Sequence, residues 1–454
     1  MSDNQNNRSA RRLRLPAALS FPAIILLASC APPSGHEAGE GSSSIGPLPP
    51  VGPVAVSSTA GPDALVNLAL RRNPTLRAMR HRAGRFAQKP AQDRTLPDPT
   101  AEFAAGNMAE TAAGNTEAVA GVKQKFPFPG KRREAAAASS REAEAAARDL
   151  EAMKLKIAER VRAAWWDYYL SSETDRLTRE SRDLLETVIN SVDARVAAGS
   201  GSQADQLRLA NESAQLDKDL ADARRMMATA RARINSLLDR EAGASLPAAR
   251  PAGLPGTGAL DALLARAAAR HPEVEAARLR KEAYRHRLAR AELEKFPDLT
   301  LGVSGAAIDS SGLSPVANGE DQLFLTLGFN IPLWQEPRKA MIREAEAGLR
   351  ETEALVGATR ADLRYRVEES WSRAVAAREI IALYESRLIP DANQAHEAAL
   401  AAYTADRAPF NDVIDTWRQL LTYKLQLAAA RSRLGKADAA IRSAAALDAY
   451  SNPK

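Results

Sequence analysis

Asp412 and Asp415 stand three residues apart. That spacing puts both carboxylates on one face of a helix, where they could attract cations. The same pair also suits an ordinary helix start, because acids in the first turn complement the helix dipole. Other reactive groups are sparse. The five histidines, His36, His81, His271, His286 and His396, include no i, i+4 pair. Cys30 is the sole cysteine, so the chain can form neither an internal disulfide nor a cysteine-rich metal centre. Met226 and Met227 are adjacent and point in different directions on a helix, which suits packing better than copper binding. No glycine-rich phosphate loop lies between a strand and a helix. The sequence therefore offers no catalytic residue, cofactor site or metal site, and a non-enzymatic role is expected.

Cys30 belongs to a different kind of chemistry. Arg8, Arg11, Arg12 and Arg14 precede an apolar stretch from Leu15 to Leu27, and Leu27-Ala28-Ser29-Cys30 resembles a bacterial lipobox. Residues 1–29 then read as a removable export signal, and Cys30 as a lipidated N-terminus. By resemblance to other lipoproteins, Ala31 in place of Asp permits transfer to the outer membrane. Removing the signal takes four arginines and Asp3 from 62 basic and 56 acidic side chains, which lowers the net charge from +6 to +3. Such a balance describes solvated helix faces and excludes a nucleic-acid footprint, which needs clustered basic surface. Beyond the signal there is no apolar run long enough for a helical membrane span. A membrane crossing would require a closed β-barrel.

These residues need elements to position them, and the elements come in duplicate. After a Pro/Gly/Ser-rich linker at 30–62, Leu70-Arg71-Arg72-Asn73-Pro74 matches Ala268-Ala269-Arg270-His271-Pro272. Leu96-Pro97-Asp98-Pro99-Thr100 matches Phe296-Pro297-Asp298-Leu299-Thr300. Phe126-Pro127 and Lys131-Arg132 match Ile331-Pro332 and Arg338-Lys339. From there a constant offset of 207 is expected through Asp205 and Asp412, with no insertion. The units are placed at 63–245 and 246–447, followed by a tail at 448–454.

Each unit reads as helix, two strands, very long helix, turn, helix. In the second, Leu299, Leu301 and Val303 alternate with Thr300, Gly302 and Ser304, while Leu323, Leu325, Leu327, Phe329 and Ile331 alternate with Phe324, Thr326, Gly328 and Asn330. Alternation puts each set on its own sheet face. The first unit repeats this more weakly, with Ala101, Phe103 and Ala105, then Ala118, Ala120 and Val122. By themselves the strands fit a soluble hairpin as well as a membrane strand. Four strands cannot close a membrane barrel, which needs about eight or more, so a membrane reading requires several copies. The long helices are expected at about 131–196 and 338–405, each near 100 Å long, with returning helices at about 203–238 and 409–446. Leu150, Met153, Ile157, Val161, Trp165 and Tyr168, then Leu184, Val188, Val192 and Val196, form a lengthwise apolar stripe.

A duplicated unit with strand pairs at one end and helical hairpins at the other resembles the TolC-like outer membrane factors, and the Pro129-Gly130-Lys131-Arg132 border resembles their heavy-metal branch. Phe126-Pro127-Phe128-Pro129-Gly130-Lys131-Arg132 looks like the segment that returns from barrel to helix, with Ile331-Pro332-Leu333-Trp334 as its counterpart. The resemblance implies a mainly α homotrimer, with twelve strands forming an outer-membrane β-barrel and twelve helices an α-barrel across the periplasm. It also implies a periplasmic adaptor and an inner-membrane pump, proton-driven in this reading, with no ATP or cofactor on the duct. Tyr403, Asp412 and Asp415 match the family's gate spacing, and three copies would ring the narrow end with carboxylates that favour cations. Ala408 and Asp406 depart from the family's Arg and Gly, so the lock is expected to use other bonds. Arg195, Gly199 and Ser202 match the tip that touches the adaptor. Leu299, Leu301, Val303, Leu323, Leu325, Leu327 and Phe329 are the lipid-facing set. Cargo is the open point: metal cations are preferred, with drug or type I protein export as alternatives. A periplasmic coiled-coil adaptor is the other competing reading, but it would carry one hairpin and several soluble β-domains.

Overall fold

The computed structural model describes residues 61–106, 110–111, 113–197, 201–250, 253, 256, 258–310, 316, 319–405 and 407–448. The signal segment, Cys30, most of the linker, Gly199, Asp406 and the residues beyond 448 lie outside that set.

The first repeat opens with α1 (Pro62–Arg72), α2 (Pro74–Ala87) and α3 (Lys89–Arg94). Pro62 and Pro74 sit in the first turns of their helices, where a missing N–H costs nothing. Strands β1 (Thr100–Ala105), β2 (Glu110–Thr111) and β3 (Gly114–Phe126) follow. Then come the 67-residue α4 (Lys131–Ala197) and α5 (Gln203–Leu237). The second repeat has α6 (Leu260–Arg270), α7 (Pro272–Leu293), β4 (Leu299–Ile308), β5 (Gln322–Phe329) and α8 (Gln335–Leu383). After a π-turn at Tyr384–Leu388, α9 (Ile389–Thr404) and α10 (Phe410–Ala444) complete it.

The strands form one antiparallel sheet in the order β1-β3-β4-β5, and β2 extends the β1–β3 hairpin. The first-repeat strands, weaker in sequence, include the longest of the sheet, the 13-residue β3. Its register is continuous with β4 from Phe126↔Leu299 to Ala118↔Ala307. The outer edges, β1 and β5, have no partner among the described residues.

Below the sheet, α4 pairs lengthwise with α5, and α8 to α9 with α10. Leu150, Ile157, Val161, Trp165 and Tyr168 are buried as their spacing demands. Past that point Leu185 is buried and Leu184 is exposed. Only Leu184 leaves the expected stripe, since it stands one residue, about 100° of helix, from Leu185; Val192 is buried and Val188 and Val196 pack against the same cluster.

The constant offset of 207 does not hold either. Val161 matches Val367, Ile157 matches Leu363 and Trp165 matches Trp371, an offset of 206. Ala223 matches Ala430 and Ile234 matches Ile441 at 207, and the helix-ending positive-φ residues Asp239 and Ala446 keep that spacing. The extra residue sits in the π-turn, where Ile389 N donates to Tyr384 O five positions back. Pro390 follows, and a proline that can neither donate nor clear the preceding turn favours such a bulge. The second long helix is thus two α segments joined by a π-turn, and it begins at Gln335, ahead of the expected Arg338.

His271 and Asn73 do the same job in the two repeats. Asn73 Oδ1 accepts from Thr75 N at 2.9 Å, and its Nδ2 donates to Leu237 O at 2.9 Å. His271 Nδ1 accepts from Glu273 N, and its Nε2 faces Ser443 O, both at 3.2 Å. His271 is 1% exposed. Burial lowers its pKa from the ordinary 6.5, against the opposing pull of Glu273 and the Ser443 carbonyl. The unfolded chain therefore binds the proton first, so this group removes stability as pH falls below about 6.5. The Asn variant His271→Asn should keep both bonds and flatten the pH dependence of the melting midpoint between pH 7 and 5. His271→Ala should lose the cap, at about 1 kcal/mol. Melts of the three proteins across that range check both outcomes.

Candidate functional site

Three places combine exposed chemistry with defined geometry: the helical tips, the sheet, and the junction between them.

At the tips, the α4–α5 and α9–α10 turns share an apolar cluster of Leu185, Val192, Leu209, Leu216, Tyr403, Phe410, Val413, Ile414 and Trp417. The Tyr403 and Phe410 rings meet edge-on, with centroids 5.6 Å apart. The Arg195 guanidinium sits 4.8 Å from the Tyr403 ring centroid, a cation–π distance. Its Nη1 also donates to Tyr403 O at 3.3 Å. Arg208 Nη1 donates to Asn411 Oδ1, and Arg418 reaches both Glu212 and Asp415. Three arginines therefore tie the tip of one repeat to the tip of the other. Spacing could not reveal these ties, because their partners lie roughly two hundred residues apart.

The expected gate residues divide by environment. Tyr403 is buried, whereas Asp412 and Asp415 are exposed on the first turns of α10. Arg418 Nη1 lies 3.4 Å from Asp415 Oδ1. Of the expected adaptor-contact residues, Arg195 packs on Tyr403, and Ser202 Oγ accepts from Ala204 N at 3.2 Å as the cap of α5. Among the described residues no three His, Cys, Asp or Glu side chains gather as a metal-holding group.

In the sheet, the register aligns Ala101, Val122, Val303 and Leu325 on one face, with Gln124, Leu301 and Leu327 beside them. Leu299, Leu323, Phe329 and Phe103 share that face. All seven residues expected to face lipid are on it and are exposed; Leu325 is 81% exposed. The opposite face carries Thr100, Glu102, Lys123, Lys125, Thr300, Ser304 and Thr326, with Glu102 and Lys123 paired. An apolar face of this extent open to water is untenable for a monomer in solution.

At the junction, Lys131 Nζ lies 2.9 Å from Asp298 Oδ1, 3.0 Å from Glu294 Oε2 and 3.2 Å from Phe296 O. Asp298 also accepts from Phe128 N at 2.9 Å and pairs with Lys125 at 3.0 Å. Burial alone would raise its pKa. Hydrogen bonds from Lys131, the Phe128 N–H and Lys125 outweigh that and hold it at about 2. Phe128 stacks on Phe296 with centroids 4.5 Å apart. Both halves of this cluster lie in the matched turn motifs, yet no spacing rule joins residues 167 apart.

The profile of the family described as Outer membrane efflux protein matches residues 65–240 and 263–447. The chain belongs to that family. The two matched stretches coincide with the two structural repeats. Outer membrane efflux proteins are outer-membrane channels that extend into the periplasm, and this chain is such an efflux channel of a tripartite system. It is similar to the Cobalt-zinc-cadmium resistance protein CzcC of Cupriavidus metallidurans, at 26% identity over 398 residues, covering 82% of this chain and 88% of CzcC. Its fold is that of the outer membrane protein VceC from Vibrio cholerae, with a TM-score of 0.71 at 20% identity, over 85% of this chain and 95% of VceC. CusC gives a TM-score of 0.70 at 15% identity, over 87% of this chain and 97% of CusC.

Proposed function

We propose that this efflux channel is the exit duct for divalent metal cations, built from three lipid-anchored copies. The exposed pair Asp412 and Asp415, beside the buried Tyr403 at the tips, carries the reading. Three copies place up to six carboxylates around the narrow end, and such a ring raises the local concentration of cations and repels anions. The name of the CzcC relative points to the same cargo. Arg195 on Tyr403, with Arg208–Asn411 and Arg418–Glu212, is the proposed lock, replacing the Arg that Ala408 lacks.

Closure by further copies is supported by the two sheet edges that have no partner among the described residues, which a bilayer does not tolerate; the count of three follows the family resemblance. Joining the β5 edge of each copy to the β1 edge of the next closes twelve strands, with the apolar face toward lipid. Cys30 carries the lipid, Gly199 and Ser202 lie at the turn offered to a periplasmic adaptor, and a proton-driven pump supplies the energy.

Reversal potentials of the purified channel in planar bilayers test the gate. Asp412→Ala with Asp415→Ala should cut the cation preference severalfold and raise conductance. Identical selectivity and conductance in the double variant would refute the gate assignment.

A further inference from the structure

The internal junction between repeats is a template for the junction between copies. Helix α7 of the second repeat lies along α4 of the first. Arg280 pairs with Asp149, and Arg287 Nη2 lies 2.9 Å from Glu142 Oε1. With Lys156–Glu273 these pairs follow one antiparallel register, which sets Ala283 level with Ala146 and next to Ala145, while Arg148–Glu275 and His286–Glu134 reach along the seam away from it. Ala283 and Ala145 are both 0% exposed, so the two helices close tightly there on small side chains.

The repeat equivalences carry this register to the other faces. α2 matches α7 through its Asn73 and His271 caps and the buried Leu76 and Val274. α8 matches α4 through Val367 and Val161. The position of Ala283 is then Arg85, and that of Ala145 is Glu351. Arg280 becomes Arg82, and Asp149 becomes Leu355. In the single chain Glu351, Arg82 and Arg85 do not touch one another. Glu351 is exposed, and Leu355 stands 50% exposed beside it.

Arg82 and Arg85 are presented together. Their guanidinium carbons lie 5.8 and 5.3 Å from the Phe86 ring centroid, with Lys89 Nζ at 5.6 Å. Helix α2 contains no acidic residue, and no carboxylate among the described residues pairs with these three cations. The internal seam carries ion pairs of both polarities, with the acid on the long helix in Arg280–Asp149 and Arg287–Glu142 and the base on the long helix in Arg148–Glu275 and Lys156–Glu273; a Glu351–Arg85 pair has the first of these polarities.

We infer that the α8 face of one copy binds α2 of a second copy through a Glu351–Arg85 ion pair, at the level where the internal seam closes on two alanines. This rests on the several-copy channel proposed above and adds its register. The seam between copies is consequently electrostatic and salt-sensitive at this level, whereas the seam inside each copy is apolar there.

Cysteines test the contact in the full-length channel, whose sole native cysteine is Cys30. Arg85→Cys with Glu351→Cys should form disulfide-linked oligomers on oxidation in isolated membranes, and either single variant should not. Charge reversal tests the energetics. Arg85→Glu or Glu351→Arg should each raise the dissociated fraction on the order of tenfold in detergent at low salt, because attraction becomes repulsion at every seam. The double reversal should restore wild-type assembly. An oligomer that amine cross-linking detects, but in which the cysteines do not join and the reversals add without rescue, overturns the seam and leaves the several-copy reading standing. A wild-type channel that runs as a monomer in every detergent overturns both.

Discussion

Leu325→Arg should abolish the oligomer that runs intact on semi-native gels until heated, while the lipid on Cys30 keeps the unassembled copies with the membrane. Leu325 is mid-strand in β5, 81% exposed, and aligned with Val303 and Val122 across the sheet. A basic residue on the lipid face near the bilayer centre costs roughly 2–4 kcal/mol. Three copies would multiply that to roughly 6–12 kcal/mol per assembly. Thr326→Arg supplies the control, because its side chain lies on the polar face with Thr300 and Lys123. That variant should assemble normally and alter only conduction. The assay is band position on semi-native gels with and without heating, together with membrane fractionation. Equal loss of assembly in both variants would reject the assignment of faces, and so would survival of Leu325→Arg.

Asp298→Ala should strongly destabilise the junction between sheet and helices. The carboxylate sits between Lys131 and Lys125 and accepts the Phe128 N–H. Its removal leaves the Lys131 ammonium, 5% exposed, with Glu294 and the Phe296 carbonyl alone. Breaking one partner out of a buried ion pair costs about 3–5 kcal/mol, and the remaining Glu294 contact puts this case at about 3. Asp298→Asn should lose less, since an amide oxygen can still accept from Phe128 N. The sign of the pH effect follows from the depressed pKa. The stabilisation is present above the ordinary carboxylate value of 3.8 and fades as pH falls toward about 2. Thermal melts of wild type and Asp298→Ala at pH 7 and pH 3 should converge as the pH drops. Melting curves of the variant that overlay wild type at pH 7 would show that the cluster does not hold the strand-to-helix turn.

The sequence carried the architecture because the architecture is periodic. Duplicated Asn-Pro and His-Pro caps, alternating strands and lengthwise stripes such as Leu150, Ile157 and Val161 are local signals, and local physics is enough to read them. The same signals placed Asp412 and Asp415 together on one helix face. They could not supply contacts between distant residues. Arg195 on Tyr403, Lys131 on Asp298, and Arg162 gripping both Asp63 and Asp448 depend on how repeats, helices and sheet come together. Nor could spacing locate the single extra residue of the second repeat. The matched motifs on either side tolerate an offset of 206 or 207, and only the backbone hydrogen bond from Ile389 to Tyr384 shows where the helix absorbs it. Sequence by itself thus determined the elements, their duplication and their polarity, since these follow from side-chain periodicity along one chain. The tertiary structure decided the ties across repeats and the two open sheet edges, because those depend on which distant surfaces meet.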